Sequence, residues 1–141
     1  TERATLASQL EWTRAYLDVL ALRMGSRLAW TIDVPAGLGD TPVPPALLQP
    51  VVENAIKHGL EPKVDGGRIA IAAVRDAGGL TLTVVDTGVG FRATSRHPAS
   101  TGIGLTNLRA RLAAFYGADA ALTIEDNTPQ GARVTLRLPN T

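Results

Sequence analysis

The chain has 141 residues, 45% of them hydrophobic, a formal net charge of +1 and no cysteine. That length and composition describe one folded domain large enough to bury a core. The near-neutral balance excludes a broad basic surface for nucleic acid or anionic lipid, and the missing thiols exclude disulfides and thiolate metal sites. Two lysines and twelve arginines are scattered without a run. No apolar stretch approaches the roughly 20 residues that span a bilayer, and no signal peptide is visible. The sequence opens at Thr1 in helix-like composition, which reads as part of something longer, and the lack of cysteine suits the cytosol.

Residues 5–28 read as a helix, because Leu6, Leu10, Leu17, Leu20, Met24 and Leu28 recur near helical spacing. "LAWTIDV" follows as a strand, then the Pro/Gly-rich loop "PAGLGDTPVPP". Pro44 and Pro45 suit the start of a second helix over about 45–59, ended by "HGLEP". "RIAIAAVR" and "LTLTVVD" alternate on either side of the turn-forming "DAGG", which predicts a hairpin. Residues 88–101 carry Gly, Ser, Thr and Pro with little periodicity and read as a loop. A helix over 102–116 has Leu105, Leu108, Leu112 and Phe115 on one stripe. "AALTIE", the turn "DNTPQG" and "ARVTLRL" close the chain, with Ala132, Val134, Leu136 and Leu138 sharing a face. Helices on one side of a mostly antiparallel sheet predict an α+β two-layer sandwich. Trp12, Tyr16 and Trp30 read as packing residues.

Three stretches have chemistry to offer. In the second helix, Leu48, Val51, Val52, Ala55 and Ile56 form the apolar stripe, and Asn54, Lys57 and His58 share the opposite side at i, i+3 and i+4. An amide, an ammonium and an imidazole together could meet a metal-bound polyphosphate, but from this helix alone a solvated face is the favoured reading. In "VVDTGVGF" an apolar strand ends at Asp86 and breaks into Gly88 and Gly90. That is either a plain strand-end turn, or a carboxylate at a sheet edge with glycines that admit a flat ring. In "TGIGLTNLRARL", Gly102 and Gly104 lead a helix start, where unpaired N–H groups and the dipole favour an anion. Neither a dinucleotide fingerprint nor a Walker loop is present: Asn107 stands where a third glycine belongs, and G-K-[ST] occurs nowhere. His58 and His97 are the only histidines and form no metal site.

Taken in order, these stretches resemble the motifs of the gyrase, heat-shock chaperone, histidine kinase and mismatch-repair ATPase superfamily. "LLQPVVENAIKHG" looks like its N box, "DTGVG" like its first glycine box and "TGIGL" like its second. The resemblance covers roughly residues 44–138. "VPPALLQPVVENAIKHG" and "GIGLTNLRARLAAFYG" are especially similar to LytS-type sensor histidine kinases.

The resemblance implies the Bergerat ATP-binding fold, with ATP and Mg²⁺ as ligands. By position it implies that Asn54 coordinates Mg²⁺ and that Lys57 and His58 lie beside the phosphates. Asp86 is expected to bind the adenine amine, with Gly88 and Gly90 by the base. Thr101, Gly102, Gly104 and Leu105 are expected to hold the phosphates, and residues 91–101 to form a lid. Asn54, Lys57 and Glu53 are the catalytic candidates. Two departures stand out. Thr87 replaces the Asn common in the first glycine box. Pro50 stands where hydrolysing members carry a water-activating Glu, one helical turn before Asn54. Glu53 is adjacent but about 100° round the helix, a poor substitute by geometry.

The implied function is donation of the ATP γ-phosphate to a histidine on a helical dimerisation segment of the same parent protein, and through it to a response regulator. The implied parent is a homodimer anchored in the bacterial inner membrane, with this domain in the cytoplasm and no nucleic-acid partner. Residues 1–28 would then be an N-terminal helix that joins the acceptor segment, or one that merely covers the sheet, and residues 29–141 the catalytic domain. The rival readings are a serine kinase of the anti-sigma-factor type on the same fold and a nucleotide-sensing module without transfer activity.

Overall fold

A computed structural model describes residues 4–89, 103–128 and 130–140. Helix α1 (Leu6–Met24) starts where Thr5 and Ser8 cap one another, each side-chain oxygen accepting the other's backbone N–H. Leu6, Leu10, Leu17, Leu20 and Met24 are buried on one stripe, as their spacing predicts. It ends earlier than expected, because Gly25 turns the chain with φ +59 and its N–H caps the Ala21 carbonyl. Leu28 therefore opens strand β2 (Leu28–Asp33) instead of closing the helix.

Ahead of α1, β1 (Ala4–Thr5) pairs with β3 (Pro42–Val43) in a two-residue antiparallel ribbon. No periodicity signals so short a pair. The ribbon ties the Pro/Gly-rich segment back to the start of α1.

Helix α2 (Gln49–Asn54) begins later than the expected residue 45. Pro44 and Pro45 precede it, and Pro50 occupies its first turn, where a missing N–H removes no helical bond. The helix then widens over Ala55–Leu60 into a π-type turn, in which the Glu61 N–H donates to the Ile56 carbonyl at 2.8 Å. Its start is held from two sides. Gln9 of α1 accepts the Leu48 N–H at 3.0 Å through Oε1. Arg111 of the last helix donates to the Pro45 and Ala46 carbonyls at 2.6 and 2.9 Å. Between those anchors Ala46 sits at φ +54.

Strands β4 (Gly67–Asp76) and β5 (Gly79–Asp86) form the expected hairpin, with Asp76 Oδ1 accepting the Gly78 and Gly79 N–H groups. Helix α3 (Ile103–Tyr116) buries Leu105, Leu108 and Leu112, while Phe115 is half-buried against Tyr116. Strands β6 (Ala121–Asp126) and β7 (Ala132–Leu138) complete the sheet.

The five strands run in the order β2-β4-β5-β7-β6, with β2 parallel to β4 and every other pair antiparallel. The parallel pair needs a crossover, and α2 lies in it. Ile69, Ile71, Leu80, Leu82, Val84, Val134 and Leu136 point from one face into a single core shared with α1, α2 and α3. Residues between them, such as Thr81, Thr83 and Thr135, remain partly exposed on the other face. This is the α+β two-layer sandwich that the alternation predicts. Trp12, Tyr16 and Trp30 pack on the core margin, with Trp12 and Tyr16 stacked at 4.9 Å.

Candidate functional site

Strand β5 delivers Asp86 to the end of the sheet with only 3% of its surface exposed. A carboxylate buried this deeply needs donors, and the backbone supplies them. Its Oδ1 accepts the Gly88 N–H at 2.8 Å and the Ala132 N–H at 3.4 Å. Among the described residues both bonds fall on Oδ1 and none on Oδ2. Burial pushes the Asp86 carboxyl above its ordinary range, and the two N–H donors pull against that shift.

The turn after Asp86 is braced on three sides. Thr87 continues the ladder with β4: its N–H donates to the Arg68 carbonyl at 3.0 Å, and its Oγ1 accepts the Arg68 N–H at 2.9 Å. The Lys63 ammonium donates to the Thr87 carbonyl at 3.3 Å, and the Val89 N–H donates to the Gly59 carbonyl at 3.0 Å. Gly88 and Gly59 meet backbone to backbone, since a Cβ on Gly88 would lie 2.2 Å from the Gly59 carbonyl carbon. Gly88 is thus required by packing, whatever a ligand demands. A Cβ on Gly59 would in turn stand 3.0 Å from Asp86 Oδ1, so the π-type turn forms one wall around the carboxylate.

The other candidates follow from α2. Asn54 closes its α-helical part, and Lys57 and His58 lie in the wide turn, so all three share one continuous helical segment that leads to Gly59. Asn54 and His58 are half-buried and Lys57 is exposed. Pro50 and Glu53 line a cleft of about 630 Å³ between α2 and α3, together with Gln49, Asn107, Ala110 and Arg111. Glu53 also faces α1: after burial, its charge is the next cause that holds the Tyr16 hydroxyl above its usual range. Leu105 is in the core, which leaves its backbone N–H, in the first turn of α3, as the group available to an anion. Gly104 lies beside it in that turn. Gly90, Thr101, Gly102 and the lid expected over 91–101 lie outside the described residues.

Sequence reasoning missed Gly59, Lys63, Asn127, Gly131 and Ala132. Gly59 read only as a helix terminator, Asn127 and Gly131 belong to a turn with no chemical signature, and Ala132 opens β7. Ala132 acts through its backbone N–H, which no residue type announces.

Among the described residues no three His, Cys, Asp or Glu side chains gather as a metal cage. A lone half-buried amide at Asn54 suits Mg²⁺, which keeps water and phosphate oxygens as most of its ligands. The donor set therefore fits a cation that arrives with its substrate.

The chain is similar to known proteins in both sequence and fold. Over its whole length the chain is 35% identical to the sensor histidine kinase BtsS of Escherichia coli K12, across 139 residues that make up 99% of this chain and 24% of that protein. It is 32% identical to the sensor protein LytS of Oceanobacillus iheyensis, over 95% of this chain and 25% of that one. It thus spans about a quarter of the length of these relatives. The histidine kinase domain of the Erythrobacter litoralis EL346 blue-light activated histidine kinase superposes with a TM-score of 0.70 at 20% identity, over 96% of this chain and 61% of that one. Residues 42–141 match the sequence profile of the histidine kinase-, DNA gyrase B- and HSP90-like ATPases. With 100 of its 141 residues inside that profile and a sheet that ends in the buried Asp86, the chain belongs to the histidine kinase-, DNA gyrase B- and HSP90-like ATPase family.

Proposed function

We propose that this domain binds Mg-ATP and donates the γ-phosphate to a histidine on a separate helical segment of a longer sensor kinase. The observation that carries the reading is Asp86, a nearly dehydrated carboxylate with Oδ1 fixed by two N–H groups and Oδ2 free to accept from an adenine amine. The first turn of α3 offers backbone N–H groups to the phosphates, and Lys57 and His58 lie on the segment between Asn54 and the adenine wall. A bound Mg²⁺, met by Asn54, would neutralise charge between phosphate oxygens. Phosphoryl transfer of this kind is positioning and charge stabilisation, so a site poor in reactive side chains suffices. Pro50 offers no base to a water molecule, and Glu53 faces a cleft beside Asn54, which favours transfer over hydrolysis.

The acceptor segment belongs to the same parent, passes the phosphate to a response regulator, and makes the parent a homodimer. Helix α1 serves as the joint: its core side is taken by this domain, while Val19 and Leu22 stand 65% and 88% exposed on the other. No helix among the described residues is long and apolar enough to cross a membrane. In this proposal the anchor lies elsewhere in the parent, and the domain works on the cytoplasmic side.

Calorimetric titration of ATP into the chain and its Asp86→Ala variant tests the reading. Loss of a charge-assisted hydrogen bond is worth about 1.5–3 kcal/mol, so affinity should fall roughly ten- to a hundredfold. Equal affinity in both proteins would refute the assignment.

A further inference from the structure

We infer that Asn127, on the turn between β6 and β7, is a positioning residue for recognition of the base by Asp86. This rests on the reading that Asp86 accepts from the adenine amine. The β5–β7 ladder ends at the pair Val85–Arg133, so Asp86 lies one residue beyond its last strand partner on that side. Asn127 supplies the missing bond: its Nδ2 donates to the Asp86 carbonyl at 3.2 Å, across 41 residues of sequence.

The same amide donates to the Gln130 carbonyl at 3.2 Å, and the Asn127 backbone N–H donates to the Gly131 carbonyl at 2.8 Å. One side chain thus closes the turn and fastens it to the end of β5. Gly131 makes the approach possible, because a Cβ there would stand 1.8 Å from the Asp86 carbonyl oxygen. The product of this clamp is the position of the next N–H, that of Ala132, on Asp86 Oδ1. Together with Gly88 on the other side it fixes the rotation of the carboxylate and the direction of Oδ2. Remove the Asn127 donor, and the turn that carries Ala132 loses its tie to the group it orients.

The test compares two ligands on three proteins by calorimetry: ATP and purine riboside triphosphate, which lacks only the 6-amino group, with wild type, Asn127→Ala and Asp86→Asn. Wild type should prefer ATP. Asn127→Ala should weaken ATP roughly three- to tenfold, the worth of one hydrogen bond, and leave the purine analogue within about twofold. An equal loss of both ligands, or no loss of either, would overturn the positioning role, since general damage to the fold has no reason to single out the amine. Asp86→Asn separates the two levels of the argument. If it keeps the wild-type preference, the adenine reading itself fails. If it abolishes the preference while Asn127→Ala retains it, only the role of Asn127 fails. Should Asn127→Ala show no cooperative melting, Asn127→Leu, of similar shape and without the donor, gives the same readout.

Discussion

Asp86 combines deep burial with two backbone donors on one of its oxygens. Its carboxyl is held above the ordinary range by burial, against the pull of the Gly88 and Ala132 N–H groups. A group whose folded pKa exceeds its unfolded value adds stability below the unfolded pKa, and that stability is lost as pH rises through the folded one. As pH rises through that raised value, the charge on Asp86 therefore weighs against the ligand-free domain. Asp86→Asn is expected to melt at or above the wild-type temperature at pH 7, with the gap closing towards about pH 4. Scanning calorimetry across that range checks it, and a variant that melts well below wild type at pH 7 would contradict the burial argument.

Gly131 is the sharper structural case. It holds φ +108 with the Asp86 carbonyl where a Cβ would go, so Gly131→Ala should destabilise by about 2–4 kcal/mol in urea unfolding. A change under about 0.5 kcal/mol would mean that the turn has room to shift. Asp86 was legible in the sequence because an alternating strand ran into Asp-x-Gly. Gly59 and Ala132 were not, because one acts by having no side chain and the other through its main chain.

The second helix depends on its neighbours for its start. Leu48 has no side-chain cap of its own, and its buried N–H is met by Gln9 of α1. Gln9→Leu keeps the bulk and removes the acceptor, and should lower unfolding free energy by about 1–3 kcal/mol, read from a shifted urea midpoint. An unchanged midpoint would show that water replaces Gln9. The apolar stripe of α2 was plain in the sequence, since Val51, Val52, Ala55 and Ile56 are all buried. Its boundaries were not. Two prolines at 44 and 45 suggest a helix start as readily as Pro50 does, and only the Gln9 and Arg111 contacts decide between them. The widened turn was equally hidden, and Gly59 within it meets Gly88, which is far away in sequence.

Across the molecule, the sandwich follows from alternation in three of the five strands, which needs no long-range knowledge. The parallel pairing of β2 with β4 and the β1–β3 ribbon depend on contacts between segments too short or too distant to leave a period. In the proposed function the site takes a nucleotide, and among the described residues no histidine outside that patch stands on a packed scaffold. Of the two histidines, His58 belongs to the candidate nucleotide patch, and His97 lies outside the described residues. In the proposed function the domain is the donor half of a transfer whose acceptor is brought by another segment, where proximity supplies much of the rate.

Incubation of the chain alone with γ-labelled ATP and Mg²⁺, with bound nucleotide, free phosphate and protein-bound label followed in one sample, tests this most directly. The account predicts occupied protein, label that stays on ATP, and no phosphorylated residue. Stable label on His58 or His97, or brisk phosphate release that Glu53→Gln abolishes, would contradict it.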